Sequence, residues 1–190
     1  QFDDVHFLMM ATKKGVVKKT PLNAYSHPRK GGIIGIQLRE GDELVTVRLT
    51  PGTLKFILGT KKGAAVRFDE TDVRSMGRNA SGVRGIRLRK GDEVVGMEVA
   101  IERGSLLTVT ENGYGKRSPI QEYRLIGRGG KGVINIKTTE RNGDVVSIKT
   151  VKDEDEVIIL SKKGIVIRIP VTDVSIVGRN TQGVRIMRLK

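Results

Sequence analysis

Four loops in this sequence set an arginine among glycines and small polar residues: Pro28-Arg29-Lys30-Gly31-Gly32, Gly77-Arg78-Asn79-Ala80-Ser81-Gly82, Gly127-Arg128-Gly129-Gly130-Lys131-Gly132 and Gly178-Arg179-Asn180-Thr181-Gln182-Gly183. Such a loop can hold an oxyanion. Glycine lets the backbone come close, exposed N–H groups donate to the oxygens, and the guanidinium adds a two-pronged donor. The glycines alone would serve turn geometry equally well; an arginine in every copy is what points to an anion. A second basic set lies in short turns, with Lys13 and Lys14, Lys61 and Lys62, and Lys162 and Lys163 at equivalent places. The third copy has Glu111-Asn112 there, followed at once by Lys116 and Arg117. Arg84 and Arg185 sit just beyond the glycines of two loops. Bands of charge repeated in this way suit contacts along a phosphate backbone rather than base reading.

Little else in the chain could do chemistry. Cysteine is absent, which removes disulfides, thiol catalysis and Cys-based zinc sites and is compatible with a reducing, cytoplasmic compartment. The two histidines, His6 and His27, do not occupy equivalent repeat positions. Asp42, Asp92 and Asp144 each follow a glycine, where aspartate commonly bonds its own turn. No nucleophile–base pair can be nominated, so neither a catalytic residue, a metal site nor a cofactor is expected. Three tyrosines and no tryptophan make a base-stacking platform unexpected, and Tyr25, Tyr114 and Tyr123 read as caps on the core. Thirty-five Lys and Arg against 21 Asp and Glu give a formal net charge of +14. That balance favours a polyanion, nucleic acid before an acidic membrane, because no basic amphipathic helix is visible. No apolar run reaches the ~18 residues of a membrane span.

The elements that carry these loops repeat about every 50 residues. Thr12-Lys13-Lys14-Gly15 recurs as Thr60-Lys61-Lys62-Gly63, Thr110-Glu111-Asn112-Gly113 and Ser161-Lys162-Lys163-Gly164. Each is flanked by alternating apolar runs, which reads as strand, tight turn, strand, with glycine at positive φ. Gly32, Gly82, Gly132 and Gly183 mark a second landmark, each followed by a short alternating strand. Gly41-Asp42, Gly91-Asp92 and Gly143-Asp144 mark a third, before a last apolar strand. About four strands per copy is the pattern of a propeller-like array. Only Glu70–Met76 and its equivalent from Val171 read as a short helical turn. One all-β domain is expected, with blades near 1–50, 51–100, 101–152 and 153–190 and the last incomplete. The start at Gln1, without Met, is expected to belong to a piece of something longer.

Longer strings resemble a known family. Ser75-Met76-Gly77-Arg78-Asn79-Ala80-Ser81-Gly82-Val83-Arg84-Gly85-Ile86-Arg87-Leu88, Glu111 to Arg117, Thr139 to Gly143 and Ser175 to Val184 are similar to repeats of the C-terminal domain of bacterial DNA gyrase A, with the paralogous domain of topoisomerase IV as near neighbour. The resemblance implies a β-pinwheel whose blades exchange strands, with double-stranded DNA bent around the outer rim. It implies that the parent protein forms a heterotetramer with gyrase B that supercoils DNA negatively, and that ATP and magnesium belong to that holoenzyme. The family's basic box, Gln-Arg-Arg-Gly-Gly-Lys-Gly, has its nearest echo at Ile126–Gly132, which lacks the leading Gln-Arg. This chain is therefore expected to bind DNA but wrap it poorly. The candidate contacts are Lys13, Lys14, Arg29, Lys30, Lys61, Lys62, Arg78, Arg84, Lys116, Arg117, Arg128, Lys131, Lys162, Lys163, Arg179 and Arg185. Reversing Arg78, Arg128 and Arg179 is expected to weaken binding and leave the fold intact, because all three sit in loops.

Overall fold

The computed structural model describes residues 2–189. The first copy supplies β1 (Phe7–Thr12), β2 (Val16–Pro21) and β3 (Leu44–Thr50). The second supplies β4 (Lys55–Thr60), β5 (Ala64–Asp69), β6 (Val83–Arg84) and β7 (Val94–Val99). The third supplies β8 (Ser105–Thr110), β9 (Tyr114–Pro119), β10 (Val133–Ile134) and β11 (Val145–Val151), and the fourth β12 (Glu156–Leu160), β13 (Val166–Pro170) and β14 (Val184–Arg185). Aliphatic alternation and glycine turns explain these short strands; Gly15, Gly63, Gly113 and Gly164 close the hairpins at φ between 77° and 83°. One short 3-10 turn follows the second strand of each copy, including Glu70–Asp72 and Val171–Asp173. No helix among the described residues is long and apolar enough to cross a membrane.

The sheets do not coincide with the sequence copies. Their orders are β3-β1-β2-β6, β7-β4-β5-β10 and β11-β8-β9-β14, with β12-β13 a two-stranded remainder. Each complete sheet thus takes its last strand from the next copy, and these exchanged strands pair antiparallel. Three apolar clusters fill the spaces between neighbouring copies. The first joins Met9 and Val17 to Phe56, Phe68 and Val73; the second joins Ile57 to Leu106, Tyr123 and Ile148; the third joins Leu107 to Val171 and Val174. This is an all-β, propeller-like ring segment that exchanges strands between blades.

The two edges of each sheet have different surroundings. β7 packs against both β3 and β11, so these strands converge on the inner side. Glu98 of β7, nearly buried, binds Arg48 of β3 at 2.7 Å and Lys149 of β11 at 2.9 Å, tying three blades together. Ile148 of β11 lies over Gly59 of β4, where a Cβ would come within 2.9 Å of it. The exchanged strands β6, β10 and β14 occupy the opposite edges and form the outer rim.

Candidate nucleic-acid interface

The rim is built by close backbone contact between blades. Gly82, Gly132 and Gly183 have positive φ, and a Cβ on each would lie 2.4 to 2.6 Å from a carbonyl oxygen of the preceding blade: Val17, Ala65 and Gly115. The chain then crosses the preceding hairpin, where the amides of Asn135 and Ile136 both donate to the Gly63 carbonyl, at 2.8 and 3.2 Å. Gly15 and Gly113 receive matching pairs from Gly85–Ile86 and Ile186–Met187. These second-landmark glycines meet neighbouring backbone rather than a phosphate, which corrects their reading as anion cradles. Gly77 and Gly178 do border open space.

This crossing brings the two basic sets together. At the first junction a groove of about 410 Å³ is lined by Lys14, Arg39, Arg84 and Arg87 over a floor of Gly15 and Val16. At the second, the equivalent groove of about 510 Å³ is lined by Lys62, Arg89, Lys131 and Lys137 over Gly63 and Ala64. Turn lysines of one blade therefore face loop and strand cations of the next. At the third junction Asn112 replaces the lysine, and Arg141 and Arg185 converge on Tyr114. Arg39, Arg87, Arg89, Lys137 and Arg141 were not singled out from the sequence. Four of them continue the outward alternation past Ile36, Ile86 or Ile136, and that continuation was the available signal.

Other candidates have different surroundings. Lys13 pairs with Glu43 at 3.3 Å and Glu93 at 3.6 Å, and the Glu43 hydrogen bond raises its pKa. Lys61 is half-buried. Lys62 binds Asp144 at 2.9 Å, and that hydrogen bond likewise holds its pKa up. Asp42 and Asp92 accept the amides of Lys14 and Lys62, both at 2.8 Å, and so fix the hairpin tips. Arg29, Lys30, Lys162 and Lys163 stand exposed at the two ends of the segment.

Two further corrections follow from burial. Lys116 and Arg117 are 0% and 4% exposed. The Lys116 ammonium donates to the carbonyls of Gly178 (2.9 Å) and Arg179 (3.0 Å) and to Ser118. Arg117 donates to the Val174 carbonyl at 2.8 Å and to Asp153 at 2.5 Å. Neither side chain reaches the rim; they tie blade three to blade four. Lys18 does the same at the first junction, donating to the carbonyls of Gly35 and Arg78. Loss of hydration pushes the Lys18 and Lys116 ammonium groups down to about 8. Arg78, Arg128 and Arg179 are also partly structural. Arg128 and Arg179 donate to the second residue of the preceding exchanged strand, through the carbonyls of Arg84 (3.2 Å) and Ile134 (2.8 Å), and Arg78 donates to the equivalent carbonyl of Ile34 (3.1 Å), which lies in a loop. Reversing all three would loosen the blade contacts as well as remove charge, contrary to the expectation from their loop positions.

Strand exchange, interblade cores and a basic rim define a β-pinwheel, a repeat module of the propeller class. The chain belongs to the DNA gyrase C-terminal domain, beta-propeller family, whose model matches residues 6–51, 55–100, 104–152 and 155–190. It is 58% identical over 189 residues to the DNA gyrase A protein of Halalkalibacterium halodurans, covering 100% of this chain and 23% of that protein. The chain thus spans about a quarter of such a relative. Among solved structures it is similar to a DNA gyrase A C-terminal domain (TM-score 0.91, 30% identity, 100% of this chain and 64% of that one). It is also similar to the C-terminal domain of a DNA topoisomerase IV (TM-score 0.94, 28% identity, 99% and 59%).

Proposed function

We propose that this chain binds duplex DNA without sequence preference, laying the phosphate backbone across the basic grooves at successive blade junctions. One observation carries the reading: the same four-cation groove recurs at two consecutive junctions on one edge of the ring. A duplex following that edge meets a new groove at every blade and must bend to do so. In the whole protein this surface would guide DNA for gyrase A, a component of a type IIA topoisomerase. Strand passage and ATP hydrolysis would belong to the other parts of that protein and to gyrase B. DNA binding at the rim draws on no cofactor in this reading.

The test is the salt dependence of binding to random duplexes of about one helical turn (~10 base pairs) and of about four. With about six phosphates contacted, log K against log salt should have a slope near −5, steeper on the longer duplex. Charge reversal at Arg87 and Lys137, which make no interblade hydrogen bond through their side chains among the described residues, should weaken binding at least tenfold. A flat salt response, or full affinity in that variant, would refute the reading. An acidic protein partner that random duplex cannot displace at near-physiological salt would favour a scaffold instead.

A further inference from the structure

The third junction differs from the first two. Where Val16 and Ala64 leave an open groove floor, Tyr114 fills the same place. The Arg141 and Arg185 guanidinium carbons lie 5.1 and 5.2 Å from the Tyr114 ring centre. Both side chains donate to the one phenol oxygen, Arg185 from Nη2 at 2.8 Å and Arg141 from Nε at 3.4 Å. Arg185 belongs to the exchanged strand β14. Arg141 belongs to a turn that is longer by two residues than its equivalent (Gly132 to Gly143 against Gly82 to Gly91), and the Asn112 amide holds that turn through the carbonyls of Glu140 and Arg141. Among the described residues no carboxylate pairs with either guanidinium.

We propose that Arg141 and Arg185, backed by the Tyr114 ring, form a clasp for one phosphate group of a nucleic-acid backbone at this junction. Two cations held against a single neutral oxygen repel each other, and that oxygen can accept from only a small part of their ten N–H donors. A phosphate placed between them would take paired hydrogen bonds from both forks and cancel the repulsion. The phenol answers the same field: hydrogen bonds from the two arginines lower the Tyr114 pKa. The clasp stands where the other junctions have their grooves, so it continues the same track by different means. It deepens the DNA-binding reading and rests on it for the identity of the phosphate.

Two measurements on the full chain separate the proposals. In the first, the Arg141 and Arg185 Nε–H resonances are followed by NMR while inorganic phosphate is added, against chloride at equal ionic strength. Saturable shifts with phosphate alone support the clasp, and equal shifts with both salts overturn it, whether or not DNA binds. In the second, R141Q/R185Q is compared with R141K/R185K in DNA binding, with thermal melting as the check on folding. The glutamine pair should lose about tenfold in affinity and about one unit of salt slope. The lysine pair should keep the slope but not the full affinity, because charge survives and the planar fork does not. A steep native slope that the glutamine pair leaves unchanged, with affinity intact, overturns the clasp while DNA binding by the grooves stands. A flat native slope would instead refute the groove reading.

Discussion

Gly63 and Gly164 end equivalent hairpins at nearly the same φ, +81° and +83°, yet an added Cβ would meet different surroundings. At Gly164 nothing lies within 4 Å; at Gly63 the Ile136 carbonyl oxygen would be 2.2 Å away. Alanine at Gly164 should therefore cost only the left-handed backbone preference, about 1–2 kcal/mol, offset by a few tenths from reduced freedom of the unfolded chain. Alanine at Gly63 adds a clash with the Ile136 carbonyl that displaces the crossing segment after β10. The two hydrogen bonds that Asn135 and Ile136 donate to the Gly63 carbonyl are worth about 1 kcal/mol each. The difference between the variants should be about 2 kcal/mol, or about 4–8 °C in melting temperature for a chain of this length. Urea and thermal unfolding by circular dichroism give the difference, and amide exchange at Asn135 and Ile136 shows whether the crossing has opened. Equal losses in the two variants, or unchanged exchange at those amides in Gly63→Ala, would refute the claim that glycine is needed for blade-to-blade approach.

Further outcomes are expected elsewhere in the molecule. Lys116 holds its proton less tightly folded, about 8, than unfolded, near 10.5, so its cost to stability is fully present below pH 8 and is relieved as pH rises towards 10.5. Native protein should gain stability relative to Lys116→Met across that window in urea titrations at stepped pH, and a gap that stays constant would contradict the assignment. Arg117→Met strands the buried Val174 carbonyl and should cost about 2 kcal/mol. Asp153→Asn should cost less than about 1 kcal/mol, because that carboxylate is exposed; denaturant midpoints decide the order. Gly59→Ala drives a Cβ to within 2.9 Å of Ile148 and should cost about 1–3 kcal/mol, partly recovered by Ile148→Val in a double-mutant cycle.

The sequence by itself determined what is local. The four copies, their hairpins and the glycines at positive φ follow from two-residue alternation and turn chemistry, which need only near neighbours. The basic character of the chain was equally plain. Which cations face solvent was not. Val16 to Thr20 of β2 and Tyr114 to Ser118 of β9 are buried without interruption, lysines included, because each strand has partners on both sides and the next blade's arginine loop over it. Alternation describes a strand with one wet face and fails where both faces are covered. The placing of Arg39 beside Arg87, of Arg89 beside Lys137, and of Arg141 beside Arg185 depends on strand exchange between copies. Tertiary structure decided that, since residues about 50 positions apart meet only after one blade has lent its strand to the last.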